Sequence, residues 1–401
     1  NEGTVGLAAP ARWTLLEGRF EQEPIRLAGP LGTLEARFAL DLDGTTKGSA
    51  TLAGPFDLRL VSPFLPDTRL SGPARVDLRA EWNGGAARLE GGLSVDGGRL
   101  TLETLNFSAS RISGEARFLG DRAELDATAE SGDGRMVAYG GMSFGPSLLG
   151  PAAVSIEVER LPVAYPEGFR ARASGALLVE GDAGRYRVSG LVDLTQAFYT
   201  AEFDARKGSL DRLDYQLAAL RASGSIADAL PLAVDVRFRD PLRIRNSQAQ
   251  LDVTGTVTAN GTLAQPAASG QLALIEGGRL TVRRARIRVD EGRVELNGYP
   301  AGLPEVDFEG LTQVGGVTMV VRAQGSLDDL QLDISSPNRP EMSQTDLVAL
   351  LLTGRTSTAA ADQGKAILAE EVAAALGGAL QRNVGETFLI DVSSDASMLL
   401  D

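Results

Sequence analysis

The 401-residue sequence contains no cysteine and no histidine. The first absence rules out disulfides, thiolate nucleophiles, iron–sulfur ligation and thiolate zinc sites. The second removes the Ser–His–Asp triad, an imidazole base and histidine metal ligands. Aromatic residues are scarce, at 5%, so any core is built of aliphatic side chains. No stretch approaches the roughly 18 continuous apolar residues of a membrane-spanning helix, and no basic region followed by an apolar run opens the chain at Asn1. The sequence therefore reads as soluble and as a piece of something longer. No P-loop closes on Gly-Lys-Ser/Thr, and no calcium-binding nonapeptide repeats. Carboxylates are many but scattered, and the adjacent pair Asp328-Asp329 reads as a turn. Neither an enzyme nor a cofactor is expected. A net charge of −14 also argues against nucleic acid as a partner.

What the chain does have is alternation. Hydrophobic residues at 43% and charged residues at 23% suit a folded protein. Up to about Ile334, short runs alternate apolar with polar side chains and stop at Gly, Pro, Asp-Gly or Asn-Gly. In Ala233-Val234-Asp235-Val236-Arg237-Phe238-Arg239, the apolar residues Val234, Val236 and Phe238 share one parity. Ala36–Leu42 alternates in the same way. This period marks half-buried strands. Asp43-Gly44, Asn83-Gly84-Gly85, Asp96-Gly97-Gly98, Asp133-Gly134, Asn260-Gly261 and Asn297-Gly298 are turn signals of the hairpin type. The fold class is all-β, with connections too short for the crossovers of a parallel sheet. Roughly 25–28 strands at ~4.8 Å each would span on the order of 120–130 Å.

One echo stands out. Gly97-Gly98-Arg99-Leu100-Thr101 recurs as Gly277-Gly278-Arg279-Leu280-Thr281. After each copy the apolar parity switches, from Leu100 and Leu102 to Leu105 and Phe107, and from Leu280 and Val282 to Ala285 and Ile287. A switch of this kind predicts a shared kinked strand pair, because side chains alternate strictly along a regular strand. The echo favours a repetitive, elongated sheet.

Composition changes after Ser335. Pro337 and Pro340 bracket a turn, Ser343 stands where an N-cap belongs, and Asp346 follows three residues on. Leu347, Leu350 and Leu351 predict a helix over Gln344–Leu352, stopped by Gly354. After a linker at Thr356–Ala361, Asp362 predicts a second helix over Gln363–Gln381, with Leu368, Val372, Leu376 and Leu380 on one stripe. Thr387–Val392 returns to strand alternation. The result is a short two-helix excursion from the sheet.

Two features bear on function. Arg279, Arg283, Arg284, Arg286, Arg288 and Arg293 form a basic run, diluted by Asp290, Glu291 and Glu295. It reads as a solvated outer face, or as a surface for phosphate headgroups or an acidic partner. The apolar face has no second layer broad enough to cover it, so the sheet is expected to curl on itself and leave an aliphatic groove. Such a groove suits lipid acyl chains, each buried methylene being worth roughly 0.8 kcal/mol. A solenoid filled by its own side chains would show the same alternation.

The C-terminal part resembles a known family. Asp240-Pro241-Leu242-Arg243-Ile244-Arg245, Gly255 to Gly261, Gly270-Gln271-Leu272 through Gly277-Gly278-Arg279-Leu280, and Ser335-Ser336-Pro337-Asn338-Arg339-Pro340 through Leu351-Leu352-Thr353-Gly354-Arg355 resemble the C-terminal domain of the TamB family, which belongs with the AsmA-like proteins. The likeness covers about Leu230–Asp401, and residues upstream share only the repetitive β style.

The resemblance implies a periplasmic protein anchored in the inner membrane of a Gram-negative bacterium, with an elongated, curled β-taco sheet. It implies a TamA-like outer-membrane barrel as partner, and work in phospholipid transport and outer-membrane protein assembly. The family's anchor is expected upstream of Asn1, and its remaining strands beyond Asp401. On this basis residues 1–229 form a repetitive sheet continuing from upstream, 230–335 the β-taco part of the domain, 336–385 the helical excursion and 386–401 a returning strand. Acyl chains would lie on Val234, Val236, Phe238, Leu280, Val282, Ile287, Val289, Val294, Leu296, Val317, Met319, Val321, Leu330, Leu332 and Ile334. Headgroups or the partner would meet Arg283, Arg286 and Arg288. The expected function is a bridge carrying phospholipid between the membranes. The alternative is a chaperone-like module that pairs its sheet edge with strands of outer-membrane clients.

Overall fold

Alternation along the chain becomes one continuous sheet. The computed structural model describes residues 6–7, 12–16, 18–41, 47–65, 68–83, 86–102, 107–144, 150–164, 168–182, 185–201, 230–263, 265–282, 285–299, 302–326 and 329–354. Among these residues, twenty-four strands join a single curled, mixed sheet. Strands adjacent in sequence are neighbours in space, and nearly all pairs are antiparallel. Five strands are interrupted: Gly6–Leu7 with Trp13–Leu16, Arg19–Gln22 with Ile25–Gly29, Thr68–Ser71 with Pro73–Asn83, Leu232–Phe238 with Leu242–Arg245, and Pro266–Leu274 with Gly278–Val282. Twenty-four strands less these five splits leave nineteen ladder positions among the described residues. At ~4.8 Å per step they cover roughly 85–90 Å. Strands such as the 17-residue Ala86–Leu102 run straight through glycines that look like turns.

Two of those turn signals lie inside strands. Asp96-Gly97 falls within Ala86–Leu102 and Asn297-Gly298 within Ala285–Tyr299, with Gly97 at φ 76° and Gly298 at φ 73°. A glycine in this conformation takes up an extra residue as a bulge rather than reversing the chain. The echo at Gly277 also resolves differently from a kink. Val282 faces Ala285, and Leu102 faces Phe107, as Cα partners of antiparallel hairpins. Parity switches because the chain reverses.

A second departure is a parallel junction. Arg185–Tyr199 pairs parallel with Leu232–Phe238 and Leu242–Arg245. Residues 202–229 separate them, enough chain for the dozen or so residues that a parallel connection requires.

The register breaks line up across the ladder. One falls at Ser110–Arg111, between the pairs Ser110↔Glu130 and Ser113↔Thr128. Ala129, Met136 and Val158, successive Cα partners, carry the line to the next break at Glu159–Arg160. It continues through Gln196, then residues 239–241 and 275–277 between strand pieces, and ends at Asp290. Arg111, Arg160 and Gln196, with φ of 48°, 50° and 50°, are the non-glycine residues of positive φ among those described. Each bulge bends its strand and tightens its twist. Aligned, they crease the sheet lengthwise and let its apolar faces turn towards each other.

Burial is uneven along this crease. Up to Val158, buried apolar side chains are isolated, as at Leu34, Val76 and Ala109. A small cluster of Ala171, Ala173, Leu194 and Ala197 follows. From Tyr199 to Leu351 one large cluster fills the interior.

A helix, α1 (Gln344–Thr353), belongs to that cluster. Ser343 Oγ accepts from the N–H of Asp346 at 3.2 Å, and the Ser343 hydroxyl donates to Asp346 Oδ2 at 2.7 Å. Gly354, at φ 75°, closes the helix by donating its N–H to the Leu350 carbonyl. Both caps fall where the sequence places them. The second helix, the Thr387–Val392 strand and Arg283 lie outside the described residues.

Candidate functional site: the inward apolar face

Cross-strand register assembles the inward side chains into rows. One row runs Leu125, Gly140, Val154, Val179, Val188 and Leu232. The next runs Ala127, Ala138, Ile156, Leu177, Gly190 and Val234. Up to Val188 in the first and Gly190 in the second, these positions are half-buried. They are neither packed shut, as core residues are, nor spread on a free surface. Glycine and alanine keep the floor low. Gly190 has φ 146°, and a Cβ there would meet the Ala176 carbonyl oxygen at 2.2 Å, so no larger residue fits. The part of the sheet from Arg122 to Val188 and Gly190, upstream of the large cluster, is thus an open aliphatic trough.

Downstream the trough closes. Of the side chains singled out by parity, Val236, Phe238 and Leu332 are half-buried. Val234, Leu280, Val282, Ile287, Val289, Val294, Leu296, Val317, Met319, Val321, Leu330 and Ile334 are buried. Leu280, Ile287, Val289, Met319 and Val321 are 0% exposed. From Leu280 onward these residues pack in one cluster with Leu347, Val348, Leu350 and Leu351 of α1. Their surface is taken up within the chain. Periodicity reports which way a side chain points but not what covers it, so it treated both halves alike. The open upstream row, including Leu125, Val154, Ile156, Leu177 and Val179, went unnamed. Its available signal is the Gly and Ala content of the inward positions in Arg122–Ser131 and Gly134–Ser143.

The outer face carries charge in pairs across and along the strands. Arg322 Nε donates across the ladder to Glu309 at 2.6 Å, and Arg37 Nη2 donates along its own strand to Glu35 at 2.9 Å. The hydrogen bond from Arg37 holds the Glu35 carboxyl below its usual range. Asp193 accepts from Arg237 and sits 2.9 Å from Arg239, and these two guanidinium groups likewise hold its carboxyl low. Arg286 and Arg288 are exposed on this outer face, away from the interior. Arg288 pairs with Asp290 at 2.9 Å, whereas Arg286 makes no ion pair among the described residues.

Gly141-Met142-Ser143-Phe144-Gly145 has the spacing of a nucleophile elbow. Ser143, however, ends an antiparallel strand whose partner residue is Arg122, and the chain has no histidine to activate it. Among the described residues no acidic cluster is built to hold a metal ion.

An elongated sheet, creased along its length, charged outside and aliphatic inside, defines a trough-forming protein. Residues 125–397 match the family model of the TamB C-terminal domain, and the chain belongs to the TamB family. The match begins well upstream of Leu230, where the motif likeness starts, and takes in the open rows. No curated protein matches the chain. Membership supports a role in the translocation and assembly module, whose TamB components are non-enzymatic. It implies a TamA-like outer-membrane partner and a periplasmic protein anchored in the inner membrane. No helix among the described residues is long and apolar enough to cross a membrane.

Proposed function

We propose that the chain forms part of a periplasmic conduit that passes phospholipid between inner and outer membranes, working with an outer-membrane barrel. The half-buried aliphatic rows of the upstream trough carry this reading. Apolar side chains lining a concave surface gain by covering themselves with another apolar body, and that gain does not depend on direction. A passive slide of acyl chains along such a surface needs no catalytic residue. Headgroups would stay in water at the open edge. Arg286 and Arg288, on the opposite face, suit an acidic partner surface.

The chaperone-like alternative needs a free sheet edge. Asp329–Ser335 pairs on one side with Val317–Ser326, and among the described residues its other side has no strand partner. Gln344 Nε2, however, donates to the Leu332 carbonyl at 3.2 Å, which occupies part of that edge. The conduit is therefore the favoured reading.

Native mass spectrometry of the purified protein tests it. Phospholipid should co-purify, and Ile156→Asp with Val179→Asp should abolish loading while the strand signal in circular dichroism persists. A lipid-free wild type that captures strand peptides would favour the alternative.

A further inference from the structure

Helix α1 is buried on every side. Successive residues turn by about 100°, so the run Leu347, Val348, Ala349, Leu350 and Leu351 goes round the whole circumference, yet each of the five is buried. A helix lying on a surface keeps one polar side. This one packs against the strand Asp329–Ser335 and shares one buried cluster with Ile287, Met319, Val321 and Ile334.

Among the described residues, Gln344 ties the start of the helix to the sheet. Gln344 Nε2 donates to the Leu332 carbonyl at 3.2 Å and to Asp333 Oδ1 at 3.1 Å. At the other end Leu350 Cδ1 comes within 3.7 Å of where a Cβ on Gly315 would stand. The preceding loop is fixed separately: Ser336 Oγ donates to the Thr318 carbonyl at 2.8 Å, and Asn338 Nδ2 to that of Gly316 at 3.1 Å. The loop thus stays on the sheet whether or not the helix is docked, with residues 339–343 between them as a pivot. Ten residues form too short a helix to persist alone in water, so α1 depends on the apolar lobe that it fills. Beyond the Gln344 bonds, the cluster that α1 joins is apolar, and an acyl chain can supply apolar contact equally well. Thr312, the cross-strand partner of Met319, is buried in the same region, and among the described residues its hydroxyl has no partner.

We propose that α1 is a displaceable plug. It covers the apolar face of the last strands as an acyl chain would, and its release uncovers that face. The proposal rests on the conduit reading and adds its regulation.

The test places a photo-crosslinking residue either at Ile156, upstream, or at Leu332, half-buried beside the plug. Each protein is mixed with vesicles of phosphatidylethanolamine and phosphatidylglycerol labelled in the acyl chains. Label at Ile156 is expected in the wild-type background, with little at Leu332. Leu347→Asp with Leu350→Asp should expel the helix and raise labelling at Leu332 at least tenfold, leaving Ile156 unchanged. If that variant loses its strand signal, Ser343→Ala with Gly354→Ala weakens only the caps, and about a fivefold rise at Leu332 is expected from the lost N-cap. Labelling at Ile156 without any rise at Leu332 overturns the plug and leaves the conduit standing. No labelling at either position overturns both.

Discussion

Asp193 and Arg237 face each other as Cα partners at the parallel junction of the sheet, joined by two hydrogen bonds of 2.8 and 3.1 Å. Arg239 approaches the same carboxylate at 2.9 Å. One side chain therefore ties the strand that ends the antiparallel upstream run to the strand that opens the downstream part.

This clamp should depend on pH. Asp193 titrates below its ordinary value because it accepts from Arg237 and Arg239. Its stabilisation is thus complete above the unfolded carboxylate pKa of about 4 and fades as pH falls through the lower folded value. Asp193→Asn should lower the thermal midpoint near neutral pH and make little difference in strong acid. An equal loss at both pH values would show that the clamp does not act through charge.

Truncation should cost more downstream than upstream. Met319→Ala opens a cavity where no exposure exists and should destabilise by about 2–5 kcal/mol. Leu177→Ala, on the half-buried row, should cost about half as much or less, because less surface is recovered on folding. Denaturant titration followed by hydrogen exchange in the two halves separates the effects.

Charge insertion should split the same way. Val282→Asp and Val321→Asp bury a carboxylate with no partner at positions 3% and 0% exposed, and should unfold the downstream lobe. Ile156→Asp borders the open trough, where water reaches it, and should leave the fold intact while blocking lipid. Loss of structure in the Ile156 variant would contradict an open upstream trough.

Two glycines should respond differently to alanine. A Cβ on Gly190 strikes the Ala176 carbonyl, so Gly190→Ala should separate the strands Phe169–Asp182 and Arg185–Tyr199. Gly277 stands in open space at φ 93°, so Gly277→Ala meets only backbone strain of about 1 kcal/mol. Amide exchange in the adjoining strands would rank the pair.

Several elements were legible without coordinates. The parity of Val234 and Val236, or of Leu280 and Val282, identified the inward face, because alternation is a local property of an extended chain. Ser343 and Gly354 marked both ends of α1 through bonds spanning three or four residues. Other elements were not legible. Gly97 and Gly298 look like hairpin turns, and whether a left-handed glycine reverses the chain or only bulges depends on what its neighbouring strands do. The crease through Arg111, Arg160 and Gln196 has no composition of its own, since arginine and glutamine have no preference for positive φ.

The sequence alone settled that the described residues up to Ser335 are chiefly strand, which side of each strand is greasy, and where α1 begins and ends. All three follow from interactions within a few residues. Only the tertiary structure decided that the greasy side lies open upstream and filled downstream. That outcome depends on aligned bulges in strands distant along the chain and on a late helix entering the space they enclose, and neither leaves a trace in the period of the residues it covers.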